Sequence, residues 1–161
     1  MKVCNSEAMK KVKALEEELN KLRFNEAQNS MISYKEGEKK IKVDYDYSKT
    51  RKEIERINAE IRKIKNALAV ANSTFKIDEF SITIGEALVY LAQLNSEYNN
   101  LSQLASRNKI SRRITQNGVL EYTECTYDTD EAKKDQKEVF AKIGKLQVAI
   151  DRANLNCFIE I

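Results

Sequence analysis

Isoleucine recurs between residues 54 and 64 at alternating spacings of three and four, and this seam most constrains the fold. It consists of Ile54, Ile57, Ile61 and Ile64 and continues through Leu68. Such spacing places the apolar side chains along one stripe of a helix, as in a coiled coil. The chain contains no proline, so the commonest cause of a helix break is absent. The sequence therefore predicts long helices, with this seam acting either as a core or as a surface for self-association.

Similar apolar spacing elsewhere predicts four helices in all, at about residues 5–29, 49–72, 84–107 and 129–154. Two helix starts carry recognisable caps. Thr83 and Glu86 match the capping-box pattern, in which each side chain satisfies a backbone N–H of the first turn, and Asp128 with Glu131 matches it again.

Two segments predict β-hairpins, at about residues 31–47 and 112–127: in the first, Ile41, Val43, Tyr45 and Tyr47 alternate with polar residues, and in the second, β-branched and aromatic residues flank a turn signal. In the first, Gly37 offers a turn before the alternating residues. In the second, the dipeptide Asn117-Gly118 is a strong hairpin signal because both residue types tolerate positive φ. The alternating tail, about residues 157–161, predicts a strand.

These elements predict a mainly α fold with four long antiparallel helices, two β-hairpins at one pole and a short carboxyl-terminal strand. A length of 161 residues suits one core, so we expect a single helical domain over residues 1–161. At the opposite pole, the loop "STFKI" and the tail "FIEI" are the segments expected to pair.

Four long segments carry a family resemblance: "EIRKIKNALAVANSTFKI", "TIGEALVYLAQLNSEYNNLSQLASR", "EYTECTYD" and "KLQVAIDRANLNCFIEI". They resemble an uncharacterised family of small bacterial helical proteins, sometimes labelled septicolysin-like. The resemblance implies long helices with short hairpins and an intracellular bacterial setting, and it supplies no catalytic residues. The label implies a cytolysin, but the sequence has no lytic helix with lysine on one face and tryptophan or phenylalanine on the other.

The composition argues against most enzyme classes. Histidine is absent, which removes the commonest general base and the commonest transition-metal ligand. The chain has four glycines, none close to another, so it has no phosphate-binding loop and we expect no cofactor. Cys4, Cys125 and Cys157 are odd in number and widely spaced, which favours reduced thiols in packed positions. We expect a protein that is not an enzyme.

Clustered acids offer a possible metal site, which we do not favour. Asp44 with Asp46, and Asp128 with Asp130 and Glu131, have the oxygen ligands that Mg²⁺ or Ca²⁺ prefers. However, the first pair suits the solvent face of a strand, and the second group suits a helix cap near the positive end of the helix dipole. We therefore predict no metal.

Basic residues offer one sharper alternative. The proposed geometry brings eight cations to the pole of the two hairpins, together with several tyrosines, and we call these cations the basic pole. They are Lys35, Lys39, Lys40, Lys42, Arg107, Lys109, Arg112 and Arg113. Cations next to aromatic rings suit single-stranded nucleic acid, although acids interspersed among them equally suit a solvated surface.

We therefore expect a cytoplasmic interaction or scaffold protein that self-associates, most simply as a dimer, through its helices or strand edges. The alternative is a nucleic-acid-binding protein that uses the basic pole. No membrane association is expected, because the amino terminus lacks the apolar run of a signal peptide and no segment is apolar enough to span a bilayer.

Overall fold

The structure is a computed structural model that describes residues 1–161. It confirms a mainly α chain with four long helices and short antiparallel strand pairs. In chain order the elements are β1 (Lys2–Cys4), α1 (Asn5–Asn29), α2 (Tyr47–Thr74), β2 (Lys76–Ile77), β3 (Ile82–Thr83), α3 (Ile84–Ala105), β4 (Ile110–Ile114), β5 (Leu120–Glu124), α4 (Thr129–Asn156) and β6 (Phe158–Glu160). Strand β1 pairs with β6, β2 with β3, and β4 with β5.

The residues group into two compact units. The first unit contains Met1–Phe75 and Asn154–Ile161, and the second contains Lys76–Ala153. No helix in the chain is both long and apolar enough to cross a membrane.

In the first unit, α1 and α2 pack as an antiparallel pair. The opposite direction of the helices follows from two contacts: Asn5 at the start of α1 bonds to Asn72 near the end of α2, and Glu26 near the end of α1 pairs with Arg51 near the start of α2. The isoleucine seam of α2 faces this contact: Ile54, Ile57, Ile61 and Ile64 are buried, and Leu68 is half-buried. Helix α1 contacts α2 and buries Ala8, Val12, Leu15 and Leu19.

The carboxyl-terminal strand forms as predicted but pairs with a different segment. Val3 of β1 lies opposite Ile159 of β6, and Asn5 donates its backbone N–H to the carbonyl of Cys157 at 2.9 Å. The expected pairing with "STFKI" is wrong, because Lys76 and Ile77 in that loop pair with Thr83 and Ile82 as the short hairpin β2–β3.

The hairpin predicted for about residues 31–47 is also wrong, because residues 31–46 contain no strand. One turn is present, where Glu38 donates its backbone N–H to the carbonyl of Lys35 and Gly37 has φ of +84°. Two residues of the alternating run contact helices instead of a partner strand. Tyr45 bonds to Glu26 of α1, and Asp46 caps α2 by accepting from the N–H of Lys49 at 3.0 Å.

In the second unit, the predicted capping box at the start of α3 is confirmed. Thr83 accepts from the N–H of Glu86, and Glu86 accepts from the N–H of Thr83 at 2.7 Å. At the start of α4, Asp128 accepts from the N–H of Asp130 at 2.9 Å, so the predicted partnership with Glu131 is replaced by a shorter-range cap. The rings of Tyr98 on α3 and Phe140 on α4 lie 5.7 Å apart.

Candidate functional site

The residues of the predicted basic pole fall into two sets that belong to different units. Lys35, Lys39, Lys40 and Lys42 lie in the exposed connection of the first unit. There Lys40 places its Nζ 5.1 Å from the centre of the Tyr34 ring, a cation–π contact. The other four cations lie in the second unit, at and before the β4–β5 hairpin.

Two of the four cations in the second set, Lys109 and Arg113, are paired with acids. Lys109 lies 2.7 Å from Asp130 and 3.7 Å from Asp128, and these carboxylates raise its pKa. Arg113 pairs with Glu121 directly across the hairpin. Arg112 has no ion pair, so it is the cation of β4 that remains available to a ligand.

The local sequence builds the hairpin through a turn that differs in detail from the expected one. Gly118 donates its N–H to the carbonyl of Thr115 at 2.9 Å, and Thr115 donates to the carbonyl of Val119 at 2.8 Å. Gly118 has φ of +74°, whereas Asn117 does not have positive φ. The loop is thus a three-residue connection in which a β-turn centred on Gln116 and Asn117 is followed by a left-handed glycine.

Strand register divides the hairpin side chains between two faces. One face carries Arg113 opposite Glu121 and Ser111 opposite Thr123, and it is polar. The other face, which we call the hairpin face, carries three cross-strand pairs: Ile110 with Glu124, Arg112 with Tyr122, and Ile114 with Leu120. All ten strand residues are exposed, so neither face is covered by the rest of the chain.

The apolar members of the hairpin face are unusually open to water. Their exposed fractions are 59% for Ile110, 74% for Ile114, 47% for Leu120 and 62% for Tyr122. An exposed cluster of large apolar side chains of this kind normally marks a site of interaction. Sequence reasoning placed Tyr122 among the tyrosines of the basic pole but missed Ile110, Ile114 and Leu120, although the alternation in "ISRRI" and "LEYTE" contained the signal.

A cavity of about 460 Å³ lies at the base of the hairpin. Its lining includes Arg107, Cys125 and Tyr127. The Cys125 thiol donates to the carbonyl of Asn108 at 3.2 Å, and Tyr127 donates to the carbonyl of Leu104 at 2.8 Å. Partial burial raises the pKa of Tyr127. These bonds anchor the hairpin to the end of α3.

In the first unit, a groove of about 610 Å³ runs between the end of α2 and strand β6. Val70 and Ala71 of α2 and Phe158 of β6 contribute to its lining, and Cys157 is buried there. Burial raises the pKa of the Cys157 thiol, which favours the unreactive protonated form.

Three of the five acids considered as metal ligands, Asp46, Asp128 and Asp130, have structural partners. Asp46 caps α2, and Asp130 pairs with both Lys109 and Lys133. Those two ammonium groups lower the pKa of Asp130 to about 2. No group of three or more cysteine or acidic side chains converges in a way that could hold a metal ion.

Comparison with known proteins supports the fold. The chain is similar to a solved structure described as a functionally unknown conserved protein from Corynebacterium diphtheriae, with a TM-score of 0.71 and 18% sequence identity. The match covers 99% of this chain and 100% of the other. No family model and no curated protein matches, so the septicolysin-like label stays a prediction. At 18% identity this likeness shows that the two chains share a fold. The other protein is bacterial and its function is unknown.

Proposed function

We propose that this chain is a cytoplasmic, non-enzymatic interaction protein that associates with copies of itself. The observation that carries the proposal is the exposed hairpin face of Ile110, Ile114, Leu120 and Tyr122. A two-stranded hairpin with both faces in water is only marginally stable, and covering one apolar face removes that weakness. The hairpin is nevertheless held firmly at its base by Tyr127 and Cys125.

Two roles were predicted for the isoleucine seam, a core and a self-association surface, and its burial supports the core. Because Ile57 and Ile64 have almost no exposed surface, the seam acts as core within the first unit. A self-association surface is better sought where large apolar side chains are exposed.

Nucleic-acid binding is the second candidate, and one observation favours it. Arg112 has no ion pair and lies directly opposite the exposed Tyr122. A cation next to an open aromatic ring suits a stacked base and its phosphate. The pairing of Lys109 and Arg113 with acids leaves fewer free cations for this role than the sequence indicated.

Size-exclusion chromatography with light scattering, run from low to high protein concentration and at two salt concentrations, tests the first proposal. The expected result is an oligomer that persists in high salt and shows no excess absorbance at 260 nm. Apolar contacts persist because they carry no charge that salt could screen. A monomer at every concentration contradicts it. Binding of a fluorescent single-stranded oligonucleotide that weakens steeply with salt would instead support the second candidate.

A further inference from the structure

We infer that the hairpin face is the dimer interface, and that Arg112 of each copy pairs with Glu124 of the other copy. This inference rests on the proposed function, because it names the surface through which self-association occurs. It depends on the register of β4 and β5, on the exposure of the face and on its unpaired charges.

The size of the face suits a second copy. Its four apolar side chains are between 47% and 74% exposed. They leave on the order of 500 Å² open per copy, so a face-to-face pair buries about 1,000 Å², which is the lower bound for a specific interface. Arg112 and Glu124 add polar area at the rim, as is common in such contacts.

The charges of the hairpin face can pair with those of the same face on a second copy. Arg112 and Glu124 lie on the same face of the hairpin, two positions apart along the ladder, and form no ion pair within the chain. By contrast, the charges of the opposite face, Arg113 and Glu121, already pair with each other. The hairpin face therefore presents one free cation and one free anion, and a second copy presents the same two in return.

A two-fold axis parallel to the strands brings both the apolar side chains and the opposite charges of the two copies together. In that arrangement each β4 lies over β5 of the second copy, so Ile114 meets Leu120 and Arg112 meets the Tyr122 ring. Arg112 then gains a cation–π contact and reaches Glu124, the next residue on that face. Because the interface is isologous, each of these contacts occurs twice.

The experiment uses charge reversal on the full chain and measures the dimer dissociation constant by analytical ultracentrifugation. Arg112→Glu and Glu124→Arg alone are each expected to weaken the dimer on the order of 10-fold to 100-fold, because like charges then meet twice across the interface. Mixing the two single variants restores opposite charges at both positions of a heterodimer. The mixture is therefore expected to dimerise close to the wild-type constant.

The mixing step keeps the test independent of hairpin folding, since an effect inside one chain cannot be repaired by another chain. Arg113→Glu and Glu121→Arg are the matched controls on the opposite face, and they are expected to leave the dimer constant unchanged, alone or mixed.

The outcomes distinguish failure of the proposed function from failure of the proposed interface. A wild-type chain that is monomeric at all concentrations overturns both the proposed function and this inference. A wild-type dimer that tolerates Arg112→Glu and Glu124→Arg leaves the proposed function intact and overturns this interface. Loss of the dimer in both single variants with no recovery on mixing also overturns the pairing, whereas recovery supports it.

Discussion

The side-chain amide of Asn5 donates a hydrogen bond to Oδ1 of Asn72 at 3.2 Å, joining the start of α1 to the end of α2. The same group lies 3.5 Å from Oδ1 of Asn154 near the end of α4. Asn5 is completely buried, and its own Oδ1 has no partner. A buried amide that serves three helix ends fixes their alignment in the first unit, since a shift of one turn would leave polar atoms unpaired.

Replacing Asn5 with alanine is expected to lower the free energy of unfolding by about 1–2 kcal/mol, because the half-buried Asn72 and Asn154 lose their donor. The loss stays moderate because the unpaired Oδ1 of Asn5 disappears at the same time. Urea unfolding measures the change. Asn20→Ala, on the exposed side of α1, is the matched control, and equal effects at the two sites would contradict the assigned role.

Replacing Gly144 with alanine is expected to stabilise the chain by about 0.5–1 kcal/mol, since glycine inside a helix costs conformational entropy. Gly144 lies within α4, and an added Cβ meets no atom within 4 Å. Thermal unfolding followed by circular dichroism measures the gain. The reverse change at the exposed neighbour, Ala141→Gly, is expected to lower the melting temperature by a similar amount. A neutral Gly144→Ala variant would show that this part of α4 is not helical in solution.

The Asp130 carboxylate is expected to titrate near pH 2, because Lys109 and Lys133 hold its pKa below its ordinary value of 3.8. A pKa lower in the folded state means that the ion pairs stabilise the fold above pH 3.8 and lose this contribution as the pH falls towards about 2. Carboxyl carbon chemical shifts across an acid titration report the value directly.

Lys109→Ala is expected to raise the pKa of Asp130 only part of the way, because Lys133 remains 2.8 Å from it. Lys134→Ala is the control, since Lys134 takes part in no ion pair with Asp130. An Asp130 titration unchanged by Lys109→Ala would show that the hairpin base is not held by this contact.

Glu26 holds the connection at residues 31–46 against the helices. It accepts from the Tyr45 hydroxyl at 2.8 Å and pairs with Arg51 of α2. Partial burial and the Glu26 hydrogen bond raise the pKa of Tyr45. Glu26→Ala is therefore expected to free the connection and to speed tryptic cleavage there several-fold, because opening then costs less.

Glu17→Ala, at an exposed site of the same helix, provides the comparison for this cleavage assay. Cleavage sites mapped by mass spectrometry should fall at Lys35, Lys39, Lys40 and Lys42. If Glu26→Ala and Glu17→Ala are cut at the same rate, the Tyr45 and Arg51 contacts do not restrain the connection.

The parts of the fold that sequence predicted correctly depend on short-range signals. The helices carry their apolar spacing along their own length, and Thr83 meets its partner Glu86 three residues away. The Asn117-Gly118 signal located a hairpin correctly, although Gly118 alone takes positive φ and the turn centre moves back by one residue. The local sequence determines that a turn forms, but it determines the turn type less strictly.

The errors arose where a partner lies far away in sequence. Residues 41–47 alternate as a strand does, but no neighbouring segment supplies a matching apolar strand. Tyr45 donates a hydrogen bond to Glu26 of α1 instead. Strand β1 has three residues, too few to show a period, and its partner lies at the other end of the chain. Likewise, the neutralisation of Lys109 by Asp130 joins positions 21 residues apart, which no local pattern encodes.

The pairing of β1 with β6 has a mechanical consequence. Met1 and Ile161 bond to each other at the same end of this two-stranded sheet, at 2.8 Å and 3.1 Å. Tension applied to those two residues acts across the strands, so the hydrogen bonds break one after another instead of sharing the load. The first unit is therefore expected to unfold at low force, beginning with the β1–β6 sheet. The contacts of Asn5 come under load only after the last strand pair, Cys4 with Phe158, has separated.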